Sequence, residues 1–355
     1  MRFLIILGAF FAIFSTISFA QTNSSFDEEE VVVHTGYNDI KLAGTLTKPG
    51  NDGRFPCAIL IWGNGPHTRD QVISGTPMFK QIAEYLAGIG YATLRVDKRG
   101  FGDSDGEKAP SETITTTLDL VHDIKACYEY LEERNDIDKN NIGLIGHSEG
   151  ALIATVLASV EGIGVDWLIL LSAPGAPAKD IFLKQRYNNA VQLGIDPEII
   201  SKVQKVWKNF IDFSINDLKN DSLYYSIGHE FLRVQGVEEK DNTNDFVDMV
   251  IDGFRTEWYR TFFQLDPADY FEKIKIPVLV VYGEKDDNLR PDMNIPPIEA
   301  ALDKAGNKHY RIEILSNNDH YFLLHNGKLL EKHVPGEMEI SGELMKLITD
   351  WIPKD

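Results

Sequence analysis

Cysteine is nearly absent: Cys57 and Cys127 are the only two in 355 residues. Two thiols cannot build a disulfide framework, and no CxxC spacing suggests a structural metal. One sits on a predicted strand and the other on a predicted helix, both in apolar surroundings, so they read as buried free thiols. Basic charge is also scarce. Against 54 Asp and Glu stand 35 Lys and Arg, a net charge of −19. That balance repels nucleic acid and anionic membrane surfaces, so neither is expected as a partner. A polyanionic substrate is disfavoured for the same reason. There is no HExxH, no cluster of metal ligands and no P-loop, and Gly100-Phe101-Gly102 lacks the third glycine of a dinucleotide fingerprint. Neither metal nor cofactor is implied, and no internal repeat or low-complexity tract interrupts the chain.

A sustained apolar run of the leader type occurs only at the start. Arg2 precedes residues 3–14, apolar apart from Gly8, and Ser18-Phe19-Ala20 places small residues where a signal peptidase reads. The run is short for a membrane span and has no basic stop-transfer flank. No cysteine lies near the cleavage point to make a lipoprotein. The expectation is a signal peptide over 1–20 and a secreted or periplasmic mature chain, without stable membrane insertion.

The mature chain alternates. A continuous apolar run at 57–62 reads as a strand buried on both faces, and 91–96, 141–145, 165–171 and 278–282 read as further buried strands. Two earlier strands, 31–34 and 41–47, are joined by a turn at 37–39. Helical periodicity covers 78–88, 115–133, 150–160, 298–305 and 342–352, with Leu118, Val121, Ile124, Tyr128 and Leu131 on one face of the second. A further strand is read at 310–315. This order predicts an α/β fold with a mostly parallel sheet covered by helices. The alternation stops between 177 and 271, where helical pieces rich in aromatics predict an inserted cap. The division is therefore 21–176 and 272–355 for the sheet domain and 177–271 for the cap.

Gly146-His147-Ser148-Glu149-Gly150 lies between a predicted strand and a predicted helix, the context in which a GxSxG serine is pushed above a sheet as a nucleophile. Such a serine needs a base, and the base an orienting acid, in the chain order Ser, acid, His. His320 follows the last strand and is the candidate base, with His325 as its rival. His147 adjoins the serine on a tight turn and points away from it, and His67 is a loop residue. For the acid, Gly283-Glu284-Lys285-Asp286-Asp287 offers Asp286 first, then Asp287, then Glu284. The oxyanion hole needs two backbone donors, assigned to Glu149 and to Asn64 in the Gly-rich loop after the strand at 57–62. Trp62, beside that loop, is assigned to the substrate pocket, where its indole would shorten the acyl site.

These stretches resemble the bacterial α/β-hydrolase serine esterases. Gly63-Asn64-Gly65-Pro66-His67-Thr68-Arg69-Asp70 is similar to their GSGPxxRD loop, and residues 95–104 to RxDKRGxGxS. GHSEG at 146–150, GExD at 283–286, NxH at 318–320 and W-x-R-x-F-x-x-x-D-P at 258–267 complete the resemblance over nearly all of the mature chain. Two departures, Trp62 for a common His and Asn64 for a common Ser, bear on the acyl pocket. The resemblance implies the α/β-hydrolase fold and a serine hydrolase cleaving small-molecule carboxylic esters through an acyl-enzyme on Ser148, and the place assigned to Trp62 adds the expectation that short acyl groups are preferred. An aminopeptidase, or an acyltransferase or thioesterase, using the same three residues is the alternative.

Overall fold

A computed structural model describes residues 26–37, 39–50, 52–106 and 115–353. The expected signal peptide and Asn38 of the first turn lie outside the described residues.

Eight strands form one sheet: β1 (Asp27–His34), β2 (Lys41–Lys48), β3 (Phe55–Ile61), β4 (Ala92–Val96), β5 (Ile137–His147), β6 (Trp167–Leu171), β7 (Val278–Gly283) and β8 (Tyr310–Leu315). Their spatial order is β1-β2-β4-β3-β5-β6-β7-β8. The first two pairings are antiparallel and the rest parallel. The parallel strands are apolar without alternation because both faces are covered, and every residue of β6 and β7 is buried. At the edge, β1 alternates: Val31 and Val33 point inward while Val32 is exposed.

The covering helices are α1 (Met78–Gly88), α2 (Thr117–Glu133) and α3 (Glu149–Ala158), with α10 (Pro291–Ala305) and α11 (Gly342–Trp351) later in the chain. Helix α3 is apolar almost all round, as a helix packed on every side must be. Helix α2 starts on a capping box in which Thr116 and Asp119 satisfy each other's orphan donors. Its buried face runs through Leu120, Val121, Ile124, Cys127, Tyr128 and Leu131. Leu118, expected on that face, is exposed, because it lies a further step round the first turn. Cys57 and Cys127 are free and buried, and burial pushes both thiols up.

Between β6 and β7 come α4 (Ala178–Gln192), α5 (Pro197–Asn216), α6 (Asp221–Val234), α7 (Asn244–Ile251), α8 (Glu257–Gln264) and α9 (Ala268–Phe271). Their aromatics make a separate cluster around Phe182, Trp207, Phe210, Phe231, Phe254 and Phe263. Phe182 meets Trp207 edge-on at 5.6 Å, and Phe210 stacks on Phe254 at 5.5 Å. Most aromatics of this segment therefore hold its helices together. Among the described residues no helix is long and apolar enough to cross a membrane.

Candidate active site

Strand β5 ends at His147 and α3 begins at Glu149, so Ser148 alone makes the reversal between them. Its φ of 56° lies in the left-handed region, which is costly for a residue with a Cβ. A Cβ on Gly146 would lie 2.2 Å from the Gly150 carbonyl oxygen, and one on Gly150 would lie 2.1 Å from that of Ile61. Backbone stands on both sides, so neither glycine can be replaced without moving the turn. This crowding is why the motif needs glycine at both positions, and it presents the serine to a cavity of about 290 Å³ above the strand ends.

Strands β7 and β8 are parallel and paired to their last residues, Gly283 beside Leu315, so the loops that follow them emerge side by side. They bring Asp286 and His320 together, with Nδ1 of the imidazole 2.9 Å from Oδ2 of the carboxylate. Both are buried, and His320 lines the same cavity as Ser148. The other carboxylate oxygen of Asp286 accepts the backbone N–H of Asn288 at 3.0 Å and that of Leu289 at 2.7 Å. Burial works to raise the Asp286 carboxyl. The neighbouring His320, the Leu289 N–H and the Ser172 hydroxyl outweigh it and hold the group below the ordinary carboxylate range. An ionised carboxylate on Nδ1 places the imidazole proton there and leaves Nε2 as an acceptor.

The rival candidates lie elsewhere. Asp287 and Glu284 are exposed, and Asp287 accepts from Gln192 of α4 at 3.4 Å. His325 Nδ1 is 3.1 Å from the Glu337 carbonyl oxygen, outside the cavity. His67 lines the cavity with Nε2 2.8 Å from the Asn64 carbonyl, and burial pulls its pKa below the usual value. His147 is buried and donates from Nε2 to the His320 carbonyl at 2.9 Å.

Two backbone donors border the serine. The Glu149 N–H is the first of α3, without an intrahelical acceptor. The Asn64 N–H finds no acceptor among the described residues, while Asn64 Oδ1 takes the Gly65 N–H at 2.8 Å. The Glu149 side chain turns inward, accepting from Thr117 at 2.7 Å and from the buried Lys98 ammonium at 3.4 Å. Lys98 also reaches the Gly65 carbonyl at 3.3 Å and so pins the loop that carries Asn64.

Trp62 does not take the place expected of it. Its side chain is fully buried, it lines no part of the cavity, and its indole N–H donates to the Val96 carbonyl at 2.8 Å. The strand directs it into the core beneath the loop, with the Lys98 ammonium over its ring at 5.2 Å. The walls come instead from Leu152, Pro174, Ile181, Leu289 and the stacked pair Trp258 and Phe262, whose rings lie 4.6 Å apart. Trp258 and Phe262 are the W and F of the motif at 258–267, which marked them within the cap without assigning them to the pocket wall. The arginines of the loop motifs are structural: Arg69 grips Asp97 with two nitrogens at 3.2 and 2.8 Å, and Arg99 grips Asp123 at 2.7 and 2.5 Å. Among the described residues no group of three His, Cys, Asp or Glu is placed to hold a metal ion.

Comparison with known proteins agrees with this architecture. A family profile described as serine aminopeptidase, S33, matches residues 74–326. Esterase EstD of Thermotoga maritima is 23% identical over 93% of this chain and 67% of its own length. Among solved structures, Est1E of Butyrivibrio proteoclasticus with ferulic acid bound superposes with a TM-score of 0.51 at 18% identity, covering 91% of this chain and 96% of that one. DcsB in complex with its substrate analogue gives 0.53 at 19% identity, covering 92% and 99%. At these identities the structures show a shared fold, the α/β-hydrolase fold.

Proposed function

Since the chain belongs to the serine aminopeptidase, S33, family, we propose that it is a serine hydrolase that cleaves carboxylic esters, with Ser148 as nucleophile, His320 as base and Asp286 as the acid that orients it. One observation carries the reading. A serine held at φ 56° on a strand-to-helix turn shares a cavity with an imidazole whose far nitrogen is fixed by a buried carboxylate at 2.9 Å.

In this reading His320 Nε2 takes the Ser148 hydroxyl proton as Oγ attacks the ester carbonyl carbon. The alkoxide that develops on the carbonyl oxygen receives the N–H groups of Glu149 and Asn64. Collapse breaks the bond to the leaving oxygen, which takes its proton from His320, and an acyl group remains on Ser148. Water then attacks with His320 again as base, and the acid is released. Asp286 stays ionised throughout and stabilises the imidazolium.

The walls favour a neutral, compact ester over a peptide with a free amino terminus. Capturing a substrate ammonium takes an available carboxylate, and the cavity's acidic side chain, Glu149, is already held by Lys98 and Thr117. A volume of about 290 Å³ lies at the small end of ligand sites, which supports the short-acyl preference on grounds other than Trp62. Aminopeptidase activity remains the second reading because the family carries that description.

Ser148→Ala should abolish turnover of p-nitrophenyl acetate without unfolding the protein, and a fluorophosphonate should label Ser148 alone. Labelling at another residue refutes the assignment, and turnover of aminoacyl-nitroanilides above esters turns the substrate class to the second reading. We also propose export, on the basis of residues 1–20. N-terminal sequencing of periplasmic or secreted material should then begin at or near Gln21, and a membrane-bound chain starting at Met1 speaks against it.

A further inference from the structure

Three segments must keep register for this site to work: the loop at Gly63, the turn at Ser148 and the loop at His320. One buried side chain outside all of them touches two. Gln71 is fully buried, and its backbone sits at φ 42°, a left-handed conformation that glutamine seldom adopts. Its Oε1 accepts the Gly63 N–H at 2.7 Å, and its Nε2 lies 3.0 Å from Nδ1 of His147 and 3.3 Å from the Met78 sulfur. His147 continues the chain from its other nitrogen, 2.9 Å from the carbonyl oxygen of His320.

The direction of every hydrogen bond follows from one fact. A backbone N–H can only donate, so the amide oxygen of Gln71 must face Gly63 and its NH2 must face His147. Nδ1 of His147 is then an acceptor, and its single proton is on Nε2, aimed at the His320 carbonyl. The ring is neutral, as this requires: burial, with His320 beside it, pushes it down to about 3, with Asp286 drawing it the other way. Were the ring charged, Nδ1 would carry a proton and clash with the amide. The His147 tautomer is therefore fixed from both ends, by the Gln71 NH2 on Nδ1 and by the His320 carbonyl on Nε2, and Gln71 ties that link to the Gly63 N–H.

We propose that Gln71 is the positioning residue of this site, acting through the His147 tautomer to hold the Gly63 loop and the His320 loop in register across the nucleophile turn. The proposal rests on the serine hydrolase reading above for what the register serves. It makes Gln71 matter to the chemical step: misplacing the base loop or the oxyanion donor weakens the transition state while leaving the apolar walls that bind the ester in place.

Nitrogen-15 correlation spectra of the wild-type protein at pH 7 test the device directly and should show His147 protonated on Nε2 alone. The same spectra on Ser148→Ala read the tautomer independently of catalysis, so failure of the serine assignment and failure of the brace are distinguishable. Gln71→Met keeps the volume and removes both hydrogen bonds, and kcat should fall by about 10- to 100-fold with KM changed by less than about threefold. Gln71→Glu keeps the acceptor for Gly63 but presents Nδ1 with a second acceptor. The His147 proton should move to Nδ1, or a second one be added there, and kcat should fall again. If Gln71→Met does not fold, the wild-type spectrum and Gln71→Glu still decide. A proton on Nδ1 of His147 in the wild type, or a folded variant with kcat within twofold of wild type, overturns the proposal.

Discussion

Replacing Asp286 by asparagine removes a charge but keeps the shape, and the surrounding donors decide which way the new amide faces. One carboxylate oxygen accepts two backbone N–H groups, from Asn288 at 3.0 Å and Leu289 at 2.7 Å, and the other faces His320 Nδ1 at 2.9 Å. An asparagine amide must keep its oxygen toward the two N–H donors, which turns its NH2 toward the imidazole. His320 then accepts on Nδ1 and carries its proton on Nε2, where it cannot take one from Ser148. Flipping the amide restores the working tautomer but leaves two buried N–H groups unpaired. At about 1–3 kcal/mol for each, the penalty is about 2–6 kcal/mol, or about 30-fold to more than 10⁴-fold in the competent population. Loss of the charge that stabilises the imidazolium adds to this, so kcat for p-nitrophenyl acetate should fall by at least about 10³-fold. The test is steady-state kinetics between pH 6 and 9 on protein whose melting temperature shows it folded. If Asp286→Asn retains more than about a tenth of wild-type kcat, or Asp287→Asn is the more damaging, the hydrogen-bond argument is wrong.

Trp62→Ala should destabilise the protein by about 3–5 kcal/mol in urea titrations, because it opens a core cavity, and should leave the preferred acyl length unchanged. A kcat/KM series on p-nitrophenyl esters should peak at about two to six acyl carbons, and a rise continuing to long chains excludes a closed pocket. For Asp97, burial acts upward, but the Arg69 guanidinium and the backbone N–H groups bring the carboxyl below its ordinary value. Its contribution to stability is thus complete above the unfolded pKa of about 3.9 and is lost as pH falls through the lower folded value. Asp97→Asn should therefore cost about 1–3 kcal/mol at pH 7 and flatten the acid limb of the stability curve below about pH 4, read by urea midpoints across that range.

The strands were legible because burial on both faces leaves continuous apolar runs such as Trp167–Leu171. The same continuity hid the fate of Trp62. A strand covered on both sides has no period-2 signal, so nothing in the run tells which face a residue takes. The segments holding Ser148, Asp286 and His320 could be read from motif and chain order. Asp286 could be ranked ahead of Asp287 from the GExD stretch, but the Asn288 and Leu289 N–H groups that its second oxygen accepts are a matter of loop geometry that no motif records. Gln71 left no trace, since a lone loop glutamine has neither periodicity nor motif. Gly63 is eight residues away, but His147 is 76 away, and only the fold brings that ring against the glutamine and links it on to His320.

The helical insertion leaves and rejoins the sheet domain at nearly one point, where the Ala178 N–H donates to the Leu265 carbonyl at 3.1 Å. A segment whose ends already touch places little demand on the host for its length, and this one has its own aromatic core. Strands β6 and β7 pair directly beneath it, so the sheet closes without the insertion. Such an arrangement makes the cap an exchangeable cassette. Changes of length or sequence between these two residues alter the Trp258 and Phe262 side of the cavity while the paired strands beneath keep their register.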